Sequence, residues 1–311
     1  MLSVKHLIDT PSLTADDITQ ILDTARSFAE VNNRSIKKVP ALRGRTIVNL
    51  FLEPSTRTRS SFELAEKRLS ADTLNMGGST SSVVKGESLA DTIQTIDAMN
   101  VDMFVVRARL AGTPQLVTHY TDAVVINAGD GKHQHPTQAM LDLYTIREHF
   151  GHLDGLKVAI VGDLSHSRVA GSLAPALKTM GADVTLVGPP TFLVDDPIYY
   201  GCEQTSHFDD LIEDMDVIYT LRVQLERMEG AVIPSKREYN RLFGLDEARM
   251  ARMKDNAIVC HPGPMNRGME INAAVADSER SRILDQVSAG VATRMAEMYL
   301  LLGGENNVIS D

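Results

Sequence analysis

The sequence predicts an α/β protein of two doubly wound domains, each a mainly parallel sheet flanked by helices. Three observations carry this expectation. Short apolar runs of strand length alternate with longer segments whose apolar residues return every three or four positions. Hydroxyl, basic and imidazole side chains gather just after the apolar runs, where open parallel sheets place ligand groups. The alternation breaks once, at Gly151 to Gly155 (GHLDG), and then begins again.

Composition bounds the answer. A chain of 311 residues can bury two substantial cores. No run reaches the ~18 uncharged residues a membrane span requires. Met1 to Thr10 mixes Lys5, His6 and Asp9 with short apolar pieces, which does not read as a signal peptide. Two cysteines, Cys202 and Cys260, make neither a disulfide framework nor a zinc spacing, so the protein reads as cytoplasmic. A net charge of −10 argues against nucleic acid, whose phosphates need a basic face. If the ligands are anions, their attraction must come from cations gathered locally.

Residues 12 to 30 (SLTADDITQILDTARSFAE) read as a capped amphipathic helix with Ile18, Ile21, Leu22 and Ala25 on one face. Thr46 to Leu52 (TIVNLFL) reads as a buried strand. EPSTRTRSSFE follows from Glu53 and opens a helix carrying Phe62, Ala65 and Leu69. Ser55 or Thr56 can cap that helix, and its first-turn N–H groups lie beside Arg57 and Arg59. Such a group suits a phosphate or carboxylate, though a capped surface helix with solvated arginines has the same spacing. A strand is expected over Ala71 to Met76, and then comes GGSTSSVVKGES with its lone Lys85, a mobile connection or a ligand loop. Residues 88 to 99 read as a helix and Val101 to Val106 as a buried strand ending in Arg107, either a ligand group or a salt-bridged structural arginine. Ala123 to Ala128 is the next strand. In the following GDGKHQHPTQ, Pro136 starts a helix and His133, Gln134, His135 and Gln138 cluster at its N-terminus. Capping, metal ligation and contact with a substrate carbonyl all remain open there, although two histidines without a third ligand make a poor zinc site.

Beyond the break, Leu156 to Val161 is a strand, and Arg168 falls in the first turn of the next helix. The dinucleotide fingerprint G-x-G-x-x-G is absent after Gly162, so no nucleotide cofactor is expected, and the predicted cofactor set is none. Asp183 to Val187 and Asp216 to Leu221 are strands, Thr191 to His207 takes no assignment, and Tyr239 to Met253 reads as one helix. Ala257 to Cys260 is a strand leading into His261-Pro262-Gly263-Pro264. That turn is either rigid punctuation or a set of fixed carbonyls able to accept from an amide NH2. Ile283 to Leu302 is a long apolar helix.

The stretches Pro54-Ser-Thr-Arg-Thr-Arg59 with Ser61-Phe-Glu63, His135-Pro-Thr-Gln138, Arg222-x-Gln224-x-x-Arg227 and His261-Pro-Gly-Pro264 together resemble the aspartate and ornithine carbamoyltransferases, over about residues 45 to 300. The resemblance implies a carbamoyl-phosphate domain (1–150), to which a C-terminal helix (284–311) returns, and an aspartate domain (151–283). It gives carbamoyl phosphate to Ser55, Thr56, Arg57, Thr58, Arg107, His135, Gln138, Gly263 and Pro264. L-aspartate goes to Lys85, Arg168, Arg222 and Gln224. Among these, Arg57, Thr58, Arg107 and His135 are the expected catalytic residues. It also implies a homotrimer whose active sites are shared, Ser81 and Lys85 coming from the neighbouring subunit, with regulatory or dihydroorotase partner chains as further possibilities. The family often has a second lysine before the matching one, where this chain has Val84. No G-x-S-x-G elbow or Ser-His-Asp order suggests an acyl-enzyme, so direct transfer between two bound substrates is the expected chemistry. Carbamoyl transfer to ornithine or an acylated amino acid, and non-catalytic anion binding, are the alternatives; Arg168, Arg222 and Gln224 favour an acidic acceptor.

Overall fold

The computed structural model describes residues 2–77, 87–193, 201–224 and 235–304. The chain divides into two compact units, Met1–Tyr144 with Ser288–Asp311, and Thr145–Val287.

In the first unit, α1 (Ala15–Asn32) starts at a reciprocal capping box: the Thr14 hydroxyl accepts from the Asp17 N–H, and Asp17 accepts from Thr14 in return. Its apolar stripe, Ile18, Ile21, Leu22, Ala25 and Phe28, is fully buried. The elements that follow are β1 (Thr46–Phe51), α2 (Thr56–Arg68), β2 (Asp72–Gly77), α3 (Leu89–Asp97), β3 (Met103–Ala108), α4 (Thr113–Val117), β4 (Val124–Asp130) and α5 (Pro136–Phe150). The four strands pair parallel in the order β2-β1-β3-β4. Strand order therefore reverses between β1 and β3, the place where open sheets leave a crevice at their carboxyl ends. Leu7 bridges Ile126 and so covers the outer edge of β4. Val48, Leu50, Phe104, Val106 and Val125 form the centre of the core on one face of the sheet.

The second unit contains β5 (Lys157–Val161), α6 (Arg168–Thr179), β6 (Asp183–Val187), β7 (Glu203–Thr205), β8 (Val217–Thr220), α7 (Lys236–Phe243), α8 (Glu247–Arg252), β9 (Ile258–Cys260), α9 (Ala273–Ala276) and the start of α10 (Ile283–Leu301). Its five strands are again all parallel, in the order β7-β6-β5-β8-β9, with the reversal between β5 and β8. Through α10 the chain returns to the first unit, as expected.

One local reading needs correction, and two short elements escape the sequence. The helix expected over Tyr239 to Met253 is two helices. Leu245 leaves the helical path to exchange backbone hydrogen bonds with Glu270 and Asn272, and Asp246 caps the second helix by accepting from the Arg249 N–H. Arg249 then turns back and donates to the carbonyls of Arg241, Leu242 and Gly244, groups that the end of α7 leaves without helical partners. Within Thr191 to His207 a short strand, β7, pairs with β6. The five-residue α4 carries no amphipathic pattern long enough to be read from sequence.

Candidate active site

The carboxyl ends of β1 and β3 build the first half-site. Ser55 occupies the N-cap of α2 with extended backbone, φ −157° and ψ 112°, yet its hydroxyl makes no cap hydrogen bond. In α1, α3, α6, α7 and α8, by contrast, a Thr, Ser or Asp side chain accepts from the first turn. The expectation that Ser55 or Thr56 caps the helix is therefore not met. α2 also has no acid in its first turn, so its N–H groups and positive end offer themselves to an anion beside Arg57 and Arg59. Arg57 and Thr56 are exposed, and Ser55 and Thr58 are half-buried.

Arg107 is paired in register with Phe51, the last residue of β1. Its side chain is only 12 % exposed, and its Nε lies 3.5 Å from Glu53 Oε2. Nη1 donates to Thr58 Oγ1 and to the Ala128 carbonyl, both at 3.3 Å. One arginine thus joins the loop after β1, the first turn of α2 and the end of β4.

After β4 the chain turns through Gly131, where φ is +51° and an added Cβ would lie 3.0 Å from the Ala111 nitrogen. The turn is organised by Asp130, which is fully buried. Its carboxylate accepts from the N–H groups of Gly112 (2.7 Å) and Gln134 (3.0 Å) and from Asn127 Nδ2 (2.9 Å), and His133 Nδ1 sits 3.1 Å away. His133 is thereby engaged with Asp130. His135 is buried just ahead of α5, its carbonyl accepting from the Gln138 and Ala139 N–H groups and its Nδ1 lying 3.4 Å from Thr137 Oγ1. Gln138 Nε2 donates to Asp142 Oδ1 at 3.0 Å. A carboxylate only accepts, so the amide orientation is fixed and the Gln138 carbonyl oxygen is left to accept from an NH2 group.

In the second unit, the ends of β5 and β8 carry the corresponding groups. Arg168 is the first residue of α6 and is buried, behind Ser167, whose hydroxyl accepts from the Ala170 N–H. Arg222 Nη1 donates to Gln224 Oε1 at 3.0 Å, so the two side chains are already aligned. Asp163, fully buried at the end of β5, holds His166 Nδ1 at 2.7 Å and accepts from the Gln224 N–H at 3.5 Å, tying the two loops together. The loop after β9 contains a cis Gly263–Pro264 bond. His261 Nδ1 accepts from the Gly263 N–H at 2.7 Å, which leaves its Nε2 to donate to Glu270 Oε1 at 3.1 Å, and Glu270 also accepts from the Asn266 N–H. Asn266 Nδ2 reaches the Val223 carbonyl at 3.3 Å.

The buried carboxylates Asp130, Asp163 and Glu270 escape sequence reading as site-organising groups. For two of them a signal exists: each apolar strand ends in Gly-Asp, at Gly129-Asp130 and Gly162-Asp163. Ser81, Lys85 and Arg227 lie outside the described residues. Among the described residues no helix is long and apolar enough to cross a membrane.

Each sheet thus presents arginines, helix ends and amide groups on the strands flanking its point of reversal, an arrangement for holding anions rather than for nucleophilic attack by a side chain. Comparison with known proteins agrees with the geometry. The family described as aspartate/ornithine carbamoyltransferase, carbamoyl-P binding domain, matches residues 5–148, and its Asp/Orn binding domain matches residues 154–301. The chain belongs to the aspartate/ornithine carbamoyltransferase family. It is 55 % identical over 301 residues to the aspartate carbamoyltransferase catalytic subunit of Thermobifida fusca, covering 97 % of this chain and 96 % of that one. Identity to the catalytic subunit of Streptomyces coelicolor is 54 % over 316 residues, covering 98 % and 97 %. Among solved structures, aspartate transcarbamoylase from Trypanosoma cruzi in complex with carbamoyl aspartate and phosphate superposes with a TM-score of 0.87 at 31 % identity, covering 96 % of each chain. The catalytic subunit from M. jannaschii gives 0.84 at 36 %, covering 96 % of this chain and 98 % of that one.

Proposed function

We propose that the protein transfers the carbamoyl group of carbamoyl phosphate to the amino group of L-aspartate, giving N-carbamoyl-L-aspartate and phosphate. The observation that supports this reading best is the uncapped, acid-free start of α2 with Arg107 drawn onto Thr58 beside it. Ser55, Thr56, Arg57, Thr58 and Arg107 hold the phosphate. Thr58, Arg107 and His135 donate to the carbamoyl oxygen and stabilise the negative charge that grows on it as the amine attacks. The Gln138 oxygen and the carbonyls of Gly263 and Pro264 accept from the carbamoyl NH2. Arg168, Arg222 and Gln224 take the aspartate carboxylates, and Lys85 and Ser81 of a neighbouring copy complete the set in a homotrimer.

The bookkeeping of the reaction is simple. The amine nitrogen bonds to the carbamoyl carbon through a tetrahedral intermediate, and the bond from that carbon to the phosphate oxygen breaks. The amine proton leaves with the phosphate, which is the strongest nearby base once released. Loss of one preorganised oxyanion donor costs ~2.7–4 kcal/mol of transition-state stabilisation, and bringing the two substrates together contributes ~7–11 kcal/mol. Positioning is therefore the larger effect. The reaction belongs to an early step of pyrimidine formation, in the cytoplasm. Assaying carbamoyl transfer to L-aspartate and to L-ornithine side by side tests the reading: product with aspartate alone is expected, and turnover of ornithine with none of aspartate would overturn it.

A further inference from the structure

The turn after β9 and the loop after β8 are joined by one amide side chain. Asn266 stands two residues beyond Pro264, and its Nδ2 donates to the Val223 carbonyl at 3.3 Å. Val223 lies between Arg222 and Gln224, whose side chains meet at 3.0 Å. The N–H of the same Val223–Gln224 peptide donates to Asp163 Oδ2 at 3.5 Å. A peptide unit is planar, so holding its carbonyl and its N–H fixes the plane from which both side chains leave. The Val223 side chain is fully buried, in one apolar cluster with Met269 and Ile271.

The backbone of Asn266 is held in turn. Its N–H donates to Glu270 Oε1, which also accepts from His261 Nε2 at 3.1 Å, while His261 Nδ1 accepts from the Gly263 N–H at 2.7 Å. His261 and Glu270 are each 1 % exposed, whereas Gly263 is half-buried and Pro264 exposed. Glu270 Oε2 has no hydrogen-bond partner among the described residues. Taking a carboxyl group and an imidazole out of water is costly, and two prolines already stiffen the turn. What prolines cannot do is reach the neighbouring loop. The buried pair does so through Asn266, in a continuous series of hydrogen bonds from the Gly263 N–H to the Val223 carbonyl.

We propose that Asn266 is a positioning residue for carbamoyl transfer: it fixes the Gly263-Pro264 turn to the loop bearing Arg222 and Gln224. The inference rests on the carbamoyl-transfer reading, in which the turn takes the carbamoyl NH2 and the loop takes the aspartate carboxylates. Transfer needs the amine nitrogen about 3–3.5 Å from the carbamoyl carbon. A shift of turn against loop changes that separation directly. A residue that only stabilised the turn would change the melting temperature and leave the kinetics of the folded enzyme as they are.

The test is steady-state kinetics at saturating carbamoyl phosphate with L-aspartate varied, on variants first shown to melt cooperatively, alongside calorimetric titration with inorganic phosphate. Asn266→Ala is expected to raise KM for L-aspartate and lower kcat, together about tenfold in kcat/KM, the scale of one hydrogen bond. Glu270→Met leaves the His261 and Asn266 N–H groups without their acceptor and is expected to lose on the order of 10²-fold, the scale of an ångström of misplacement. Glu270→Gln keeps an oxygen for both donors and should stay within about threefold of wild type. Arg267→Ala breaks the exposed ion pair to Asp277 in the residue next to Asn266 and should leave both constants within about twofold. Inorganic phosphate, whose proposed ligands lie in the other unit, should bind every variant within about twofold of wild type. Folded Asn266→Ala with the kcat and KM of wild type overturns the proposal. So does a fall in kcat with KM for L-aspartate unchanged, an equal loss in Arg267→Ala, or Glu270→Gln as impaired as Glu270→Met. If Glu270→Met does not fold, Asn266→Ala decides, since that side chain is half-buried and its removal leaves the backbone bond to Glu270 in place. Wild-type protein that carbamoylates no L-aspartate would instead overturn the functional reading beneath it.

Discussion

Asp17 shows how far a single carboxylate can be moved by its neighbours. Burial works to raise it, but hydrogen bonds from the backbone and hydroxyls of Ser3 and Thr14 outweigh this and hold it at about 2. A depressed carboxylate contributes stability above its unfolded value near 4, and that stability is lost as pH falls through about 2. Replacing Asp17 by Asn should therefore flatten the fall in melting temperature between pH 4 and pH 2; an unchanged acid limb would show that these bonds do not couple to folding. Asp130 and Asp163 pose a different question, since each accepts from backbone groups of a loop that carries proposed site residues. Neither was legible as functional in the sequence. A lone carboxylate has no periodicity, and only the Gly-Asp at the end of each strand marks it. The arginines could be put forward from sequence because their chemistry is visible locally, beside a helix start or after an apolar run.

Strands and helices differ in how much of themselves the sequence discloses. Buried parallel strands such as β3 and β5 are nearly continuous apolar runs, and their ends can be placed to within about two residues. The break between α7 and α8 is not legible, because it depends on Leu245 pairing with residues some 25 positions later. Helix starts carry the sharpest consequence. Thr14→Ala and Ser167→Ala remove side chains that cap α1 and α6, and each should destabilise by about 1 kcal/mol in denaturant titration. Ser55→Ala removes a hydroxyl that caps nothing, so it should leave stability within about 0.5 kcal/mol while weakening phosphate binding. A destabilisation equal to that of Thr14→Ala would mean that Ser55 serves the helix rather than a ligand.

For the molecule as a whole, two buried acids contribute to the loss of stability as pH rises. Burial pushes Glu66 up to about 7 and Glu297 up to about 8. In the unfolded chain both ionise near 4.5, so the folded state holds the extra protons between that value and pH 7–8. Their contribution is present in full below pH 4.5 and is lost as pH rises through 7 and 8. Melting curves of Glu66→Gln and Glu297→Gln should show a shallower decline from pH 5 to pH 8 than wild type, and parallel declines would deny the coupling. Assembly is tested separately. If Lys85 serves a neighbouring copy, mixing inactive Lys85→Gln and Arg57→Ala proteins should restore part of the activity, and verified mixed oligomers without recovery would show each chain to be self-sufficient. The two-unit α/β plan was legible because both halves repeat one rule, cations at the strands where sheet order reverses. The measurement that bears most directly on that rule is the steady-state kinetics of Arg107→Ala with carbamoyl phosphate and L-aspartate. A loss of roughly 100- to 1000-fold in kcat with the fold intact is expected, and turnover within about twofold of wild type would contradict the account.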